Sequence, residues 1–306
     1  MPRNLATVYL KLLGMALFWG GTFIAGRVIA RDVGPYAAAF LRFLIASTFL
    51  FVVLLKEERK LPPITRGQVL PLILLGLTGV FAYNVFFFKG LKLIEAGRAA
   101  VIIANNPILI ALFSALLFKE RLTLIKTIGI LLSVTGAVLA ISRGNPASLL
   151  QGGLGWGEVF IGACVLSWVT FSLLGKTVMA GLSPLTSVTY SAAIGAAALF
   201  IPACYDGLLQ GLMHYGWSAW IGVFYLGFFG TVLGFVWYYE GIQAIGPTKA
   251  GLFINFVPIS AIILAFIILD EPLTISLIGG AVLVSTGVYL TNAEPKKQLT
   301  AKVDIP

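Results

Sequence analysis

Ten runs of mostly apolar residues divide this chain, at about 8–30, 35–55, 68–88, 97–118, 122–141, 156–178, 184–204, 217–240, 247–269 and 273–291. A helix of roughly 20 such residues crosses the hydrocarbon core of a bilayer and satisfies its own backbone hydrogen bonds, as lipid demands. Hydrophobic residues make up 59% of the 306 and charged residues 11%, against about 45–50% and about 25% in ordinary soluble domains. An all-α integral membrane protein is the fold class that can hold so much apolar surface. The connections are short and leave no room for a soluble catalytic or nucleotide-binding domain. Arg3 and Lys11 ahead of the first run imitate a secretory leader, but nine runs follow, so an uncleaved first helix is predicted.

The second half repeats the first. Gly90, Ile94, Ala99, Pro107, Glu120, Leu122, Thr123, Gly129 and Gly136 recur as Gly241, Ile245, Ala250, Pro258, Glu271, Leu273, Thr274, Gly280 and Gly287. Each pair is 151 residues apart (258 − 107). Earlier in the chain Trp19/Trp168, Gly26/Gly175 and Pro35/Pro184 keep an offset of 149 (184 − 35). Such a register predicts an internal duplication, with units 1–145 and 146–306 forming one transport unit. Five spans per unit is odd, so the second unit enters the membrane from the opposite face. Inverted repeats can exchange conformations around a site near the bilayer midplane, the geometry of alternating access.

The net charge of +9 bears on orientation. With the amino terminus inside, 14 of the 21 Lys and Arg side chains fall on the cytoplasmic side, from Arg3 and Lys11 to Lys296, Lys297 and Lys302. That bias predicts both termini in the cytoplasm. No basic run is interleaved with a stacking platform, so nucleic acid is not an expected partner.

Polar and helix-breaking residues inside the spans mark the candidate site. Pro107 and Pro258 sit mid-span beside Asn105, Asn106 and Asn255. There they either open a cavity, as helix breaks and gates, or kink helices for packing. Arg42 lies within the second span, where a charge costs about 2.5–3.5 kcal/mol on insertion scales. It either attracts a substrate carboxylate or pairs structurally. Trp19, Tyr83, Trp168, Trp237 and Tyr238, with Asn84, are candidates for an aromatic-compatible cavity wall, whereas Trp217 and Trp220 suit interfacial anchors. Glu120 and Glu271 precede spans five and ten, where they and Thr123 and Thr274 are expected to cap those helices. Gly129, Gly136, Gly230, Gly234, Gly280 and Gly287 suit close helix packing.

Enzyme motifs are sparse. Gly175-Lys176-Thr177 imitates a phosphate loop, but Thr170 stands where its first glycine belongs. His214 is the one histidine, so no catalytic residue, metal site or cofactor is expected. Cys164 and Cys204 lie in apolar stretches and are expected to behave as small hydrophobes.

Taken as a set, several motifs resemble the drug/metabolite transporter superfamily, specifically its EamA-type ten-helix exporters. They are the Glu-x-Leu-Thr at Glu120 and at Glu271, Trp19-Gly20, the segments 90–98 and 241–249, and the mid-span Pro107 and Pro258. The aromatic cavity is similar to that of the YddG-like amino-acid exporters. Val169 after Trp168, and Pro272 where the first copy has Arg121, depart from the repeat. The resemblance implies ten helices in two inverted five-helix repeats and export of small metabolites across the plasma (bacterial inner) membrane. Amino acids including aromatic ones are the expected cargo, carried by a single copy in lipid. A multidrug or other metabolite exporter of the same fold is an alternative, as is a membrane-embedded enzyme or lipid-binding protein.

Overall fold

The computed structural model describes residues 5–118, 123–147, 154–178 and 182–292. These residues form ten helices long and apolar enough to cross a membrane. They are α1 (Leu5–Ile29), α2 (Pro35–Glu58), α3 (Arg66–Leu93), α4 (Ala96–Leu117), α5 (Leu124–Ile141), α6 (Trp156–Gly175), α7 (Pro184–Tyr205), α8 (Trp217–Ile245), α9 (Lys249–Leu269) and α10 (Ile275–Asn292). No strand occurs among the described residues.

Local chemistry sets the helix ends. Pro35 and Pro184 stand in first turns, where a missing amide costs nothing. Thr123 accepts the Lys126 amide at 3.4 Å and Thr274 that of Leu277 at 3.2 Å, so both threonines cap as the sequence predicts. The first amides of α2 are met from afar, by the Asp206 carboxylate, which accepts from Tyr36 at 2.8 Å and Ala37 at 3.3 Å.

Irregular turns fall at matched places in the two halves. α3 is wound as a π-helix over Gly76–Ala82 and α8 over Tyr225–Leu233. α4 breaks between Ile103 and Asn106, and α9 carries a 3-10 turn at Phe253–Asn255. Pro107 and Pro258 follow these breaks, in the first turn of the segments Asn106–Phe118 and Phe256–Leu269. A proline there is cheap, so the helices restart at the prolines and the freed carbonyls lie upstream.

Packing repeats as well. Ile161 of α6 sits against Gly90 of α3, and Leu12 of α1 against Gly241 of α8. α5 and α10 lie backbone to backbone. A methyl on Gly136 would stand 2.6 Å from the Gly280 carbonyl oxygen, and one on Gly280 2.7 Å from that of Gly136. Gly129 and Gly287 meet in the same way. Cys164 is buried, Cys204 half-buried, and both are free thiols. His214 is exposed at the turn before α8, its Nδ1 2.8 Å from the Gln210 carbonyl oxygen. Trp217 lies open at the start of α8 and Trp220 packs edge-on against Tyr215.

Candidate functional site: a central cavity

Nine of the ten helices surround a cavity of about 720 Å³. Its wall runs from Gly251, near the start of α9, to Asn292, the last residue of α10. The cavity thus reaches the end of the bundle where α9 begins and α10 finishes.

The other end is tied shut. Asp270 ends α9 in the left-handed conformation (φ 54°) and turns the chain so that Glu271 crosses to α4. There its carboxylate accepts the amides of Ala96 at 2.8 Å and Gly97 at 3.0 Å. This corrects the expectation that Glu271 caps the helix following it: it caps α4 instead. Its counterpart Glu120 lies outside the described residues. Nearby, Arg98 pairs with Glu95 at 2.8 Å and Glu158 at 3.2 Å, and Arg27 donates to the Leu91 carbonyl.

Aromatic rings line the middle depth. Tyr83 of α3 stacks on Phe87 with centroids 6.0 Å apart and meets Trp168 of α6 at 5.2 Å. Trp168 in turn meets Phe171 at 5.1 Å. On the α1 and α8 side, Trp19 contacts Phe235 at 5.6 Å and Tyr238 at 5.5 Å. The wall also includes Asn255, Pro107 and Pro258.

Arg42 gives the wall its one formal charge among the described residues. The side chain is 8% exposed. Its Nη1 donates to Asn84 Oδ1 at 2.9 Å, and Nε and Nη2 donate to Thr231 Oγ1 at 3.3 and 3.2 Å. Asn84 is therefore both a wall residue and a brace for Arg42.

Two sequence candidates sit elsewhere. Asn105 is turned from the cavity toward α5: its Nδ2 donates to the Val101 carbonyl at 3.0 Å, and its Oδ1 accepts from Ser133 at 2.8 Å. Its neighbour Asn106, about 100° further round the helix, takes the place on the wall. Trp237 lies over Gly14 and 5.3 Å from Phe18, outside the wall. Thr231, which the sequence reading missed, was marked only as a hydroxyl within the apolar, glycine-punctuated run of α8.

Comparison with known proteins places the chain. The sequence profile of the EamA-like transporter family matches it twice, at residues 6–142 and 155–293. An uncharacterized transporter of Bacillus subtilis, YyaM, is 29% identical over 281 residues, covering 92% of each chain. An uncharacterized inner membrane transporter of Escherichia coli K12, YedA, is 25% identical over 301 residues, covering 96% of this chain and 95% of that one. A solved crystal structure shares the fold over 93% of this chain and 98% of its own, with a TM-score of 0.61 at 20% identity.

Proposed function

Since the chain belongs to the EamA-like transporter family, we propose that it exports amino acids, aromatic ones in particular, by alternating access of the central cavity. The observation that carries this reading is the cavity itself: an aromatic wall around one guanidinium, reaching one end of the bundle and tied off at the other by Glu271 on α4. The volume of about 720 Å³ suits one small metabolite.

The paired family matches at 6–142 and 155–293 support two repeats, within the units 1–145 and 146–306. Their matched π turns and matched glycine contacts support the same reading. With five crossings each, the units run in opposite senses, and rocking one against the other would open the closed end. The Lys and Arg bias supports both termini, and so the open end, facing the cytoplasm of a bacterial inner membrane. One copy holds the whole cavity, which supports a monomer as the working unit.

The test is a panel of labelled amino acids loaded into vesicles with and without the reconstituted protein. Protein-dependent loss of phenylalanine, tyrosine or tryptophan is expected. Vesicles that keep every amino acid and release only drugs would replace this reading with a multidrug exporter.

A further inference from the structure

We infer that the cavity holds a zwitterion, with Arg42 taking the carboxylate of the cargo and the side-chain oxygen of Asn106 taking its ammonium. The inference rests on the amino-acid reading and deepens it.

Arg42 is a buried cation whose partners are all neutral. Its two acceptors are themselves fixed: Asn84 Nδ2 donates to the Val80 carbonyl at 2.8 Å, and Thr231 Oγ1 donates to the Leu226 carbonyl at 2.8 Å. Both therefore present lone pairs to the guanidinium. Of its five N–H groups, three are spent on these bonds. One N–H remains on each terminal nitrogen, the pair that a carboxylate accepts side by side. The ion pairs among the described residues join Lys11 to Glu240, Arg98 to Glu95 and Glu158, and Arg143 to Glu95, and leave Arg42 out. No Asp or Glu stands on the wall among the described residues. A guanidinium held at that depth without a counter-ion is stabilised by an anion arriving in the cavity.

The opposite polarity lies on other helices. Asn106 of α4 is 8% exposed, lines the cavity, and its Oδ1 has no hydrogen-bond partner. Ser285 of α10 also presents an unpartnered oxygen on the wall. α4 and α10 pack together through Val101, Ile108, Val284 and Val288, while the Arg42 cluster is built from α2, α3 and α8. Unfilled acceptors and unfilled cationic donors thus occupy separate faces, and an α-amino acid carries the complement of each. The aromatic rings of Tyr83 and Trp168 are left for its side chain.

The experiment is calorimetric titration of the purified full-length protein with L-phenylalanine, with phenethylamine, which lacks the carboxylate, and with 3-phenylpropionate, which lacks the ammonium. Phenylalanine is expected to bind at least about tenfold more tightly than either, the usual scale for losing a buried charge-assisted bond. Arg42→Gln should weaken phenylalanine to the level of phenethylamine and leave phenethylamine unchanged. Asn106→Leu should weaken it to the level of 3-phenylpropionate. A merely structural arginine would lower all three together, and that result, or phenethylamine binding as tightly as phenylalanine to the wild type, overturns the assignment. If Arg42→Gln does not fold, the wild-type ranking decides alone. Failure of the two readings can be told apart. Full phenylalanine affinity in Arg42→Gln removes the carboxylate role and leaves amino acids as cargo. Wild type that binds 3-phenylpropionate but not phenylalanine removes amino acids and overturns the zwitterion. Binding of none of the three sinks both.

Discussion

The Glu271 carboxylate lies across the start of α4, 2.8 Å from the amide of Ala96 and 3.0 Å from that of Gly97. Two charge-assisted hydrogen bonds and the positive end of the helix act on one side chain, which together stabilise the contact by about 1–2 kcal/mol. Glu271→Gln keeps the shape and removes the charge. Amide exchange over residues 96–101 should then quicken by about tenfold, while that of α5 stays as it was. Equal exchange in both proteins would mean that Glu271 does not hold this end closed.

Tyr83 and Trp168 touch each other on the cavity wall, whereas Trp237 packs over Gly14 beside Phe18. Alanine at Tyr83 or Trp168 should cut amino-acid efflux by tenfold or more with little change in melting temperature. Trp237→Ala should do the reverse, costing about 3 kcal/mol of stability and sparing the apparent affinity for cargo. Efflux and thermal unfolding measured on the same preparations separate the two outcomes.

Between α5 and α10 there is no room for a side chain. Gly136→Ala would push a methyl to 2.6 Å from the Gly280 carbonyl oxygen, and overpacking of this kind costs about 1–3 kcal/mol. A lower melting temperature is expected, and a Gly136→Ala, Gly280→Ala double variant should be worse than either. An unchanged melting temperature in Gly136→Ala would show that the two helices can part freely.

Asn105 and Ser133 share one buried hydrogen bond of 2.8 Å. A double-mutant cycle with Asn105→Ala and Ser133→Ala should return a coupling of about 1 kcal/mol. Additive losses would mean that Asn105 supports only the broken turn of its own helix.

No carboxylate stands on the cavity wall among the described residues, and Glu240, the acid on α8, is paired with Lys11. Efflux should therefore follow the gradient of the cargo and persist when the proton gradient is collapsed by an uncoupler. Loss of efflux on adding the uncoupler would place a proton step in the cycle.

Span positions, glycine faces and threonine caps were legible in the sequence because each is a local rule: length for lipid, small residues for close helices, a hydroxyl ahead of a helix. Tyr83, Trp168, Trp19 and Arg42 were legible as polar or aromatic groups too deep to be interfacial. The choice between Asn105 and Asn106 was not, since it turns on the helical phase after a break, which adjacent residues of the same type do not reveal. Glu271 was assigned to the nearer helix because capping is usually local. Its true partner lies 175 residues away in sequence, and only the left-handed turn at Asp270 aims it there. Trp237 misled for a related reason: depth in the membrane says nothing about which side of a helix a ring faces.

The π-wound stretch Tyr225–Leu233 sits directly before the part of α8 that carries Phe235, Tyr238 and Tyr239 into the cavity wall. Removing a single residue there would restore ordinary winding and swing the remainder of the helix by about 100°. Tyr238 would leave the wall and Glu240 would lose Lys11. This segment can accept substitutions, but its length is fixed, and any insertion or deletion that survives in a descendant should come with a compensating one a few turns away.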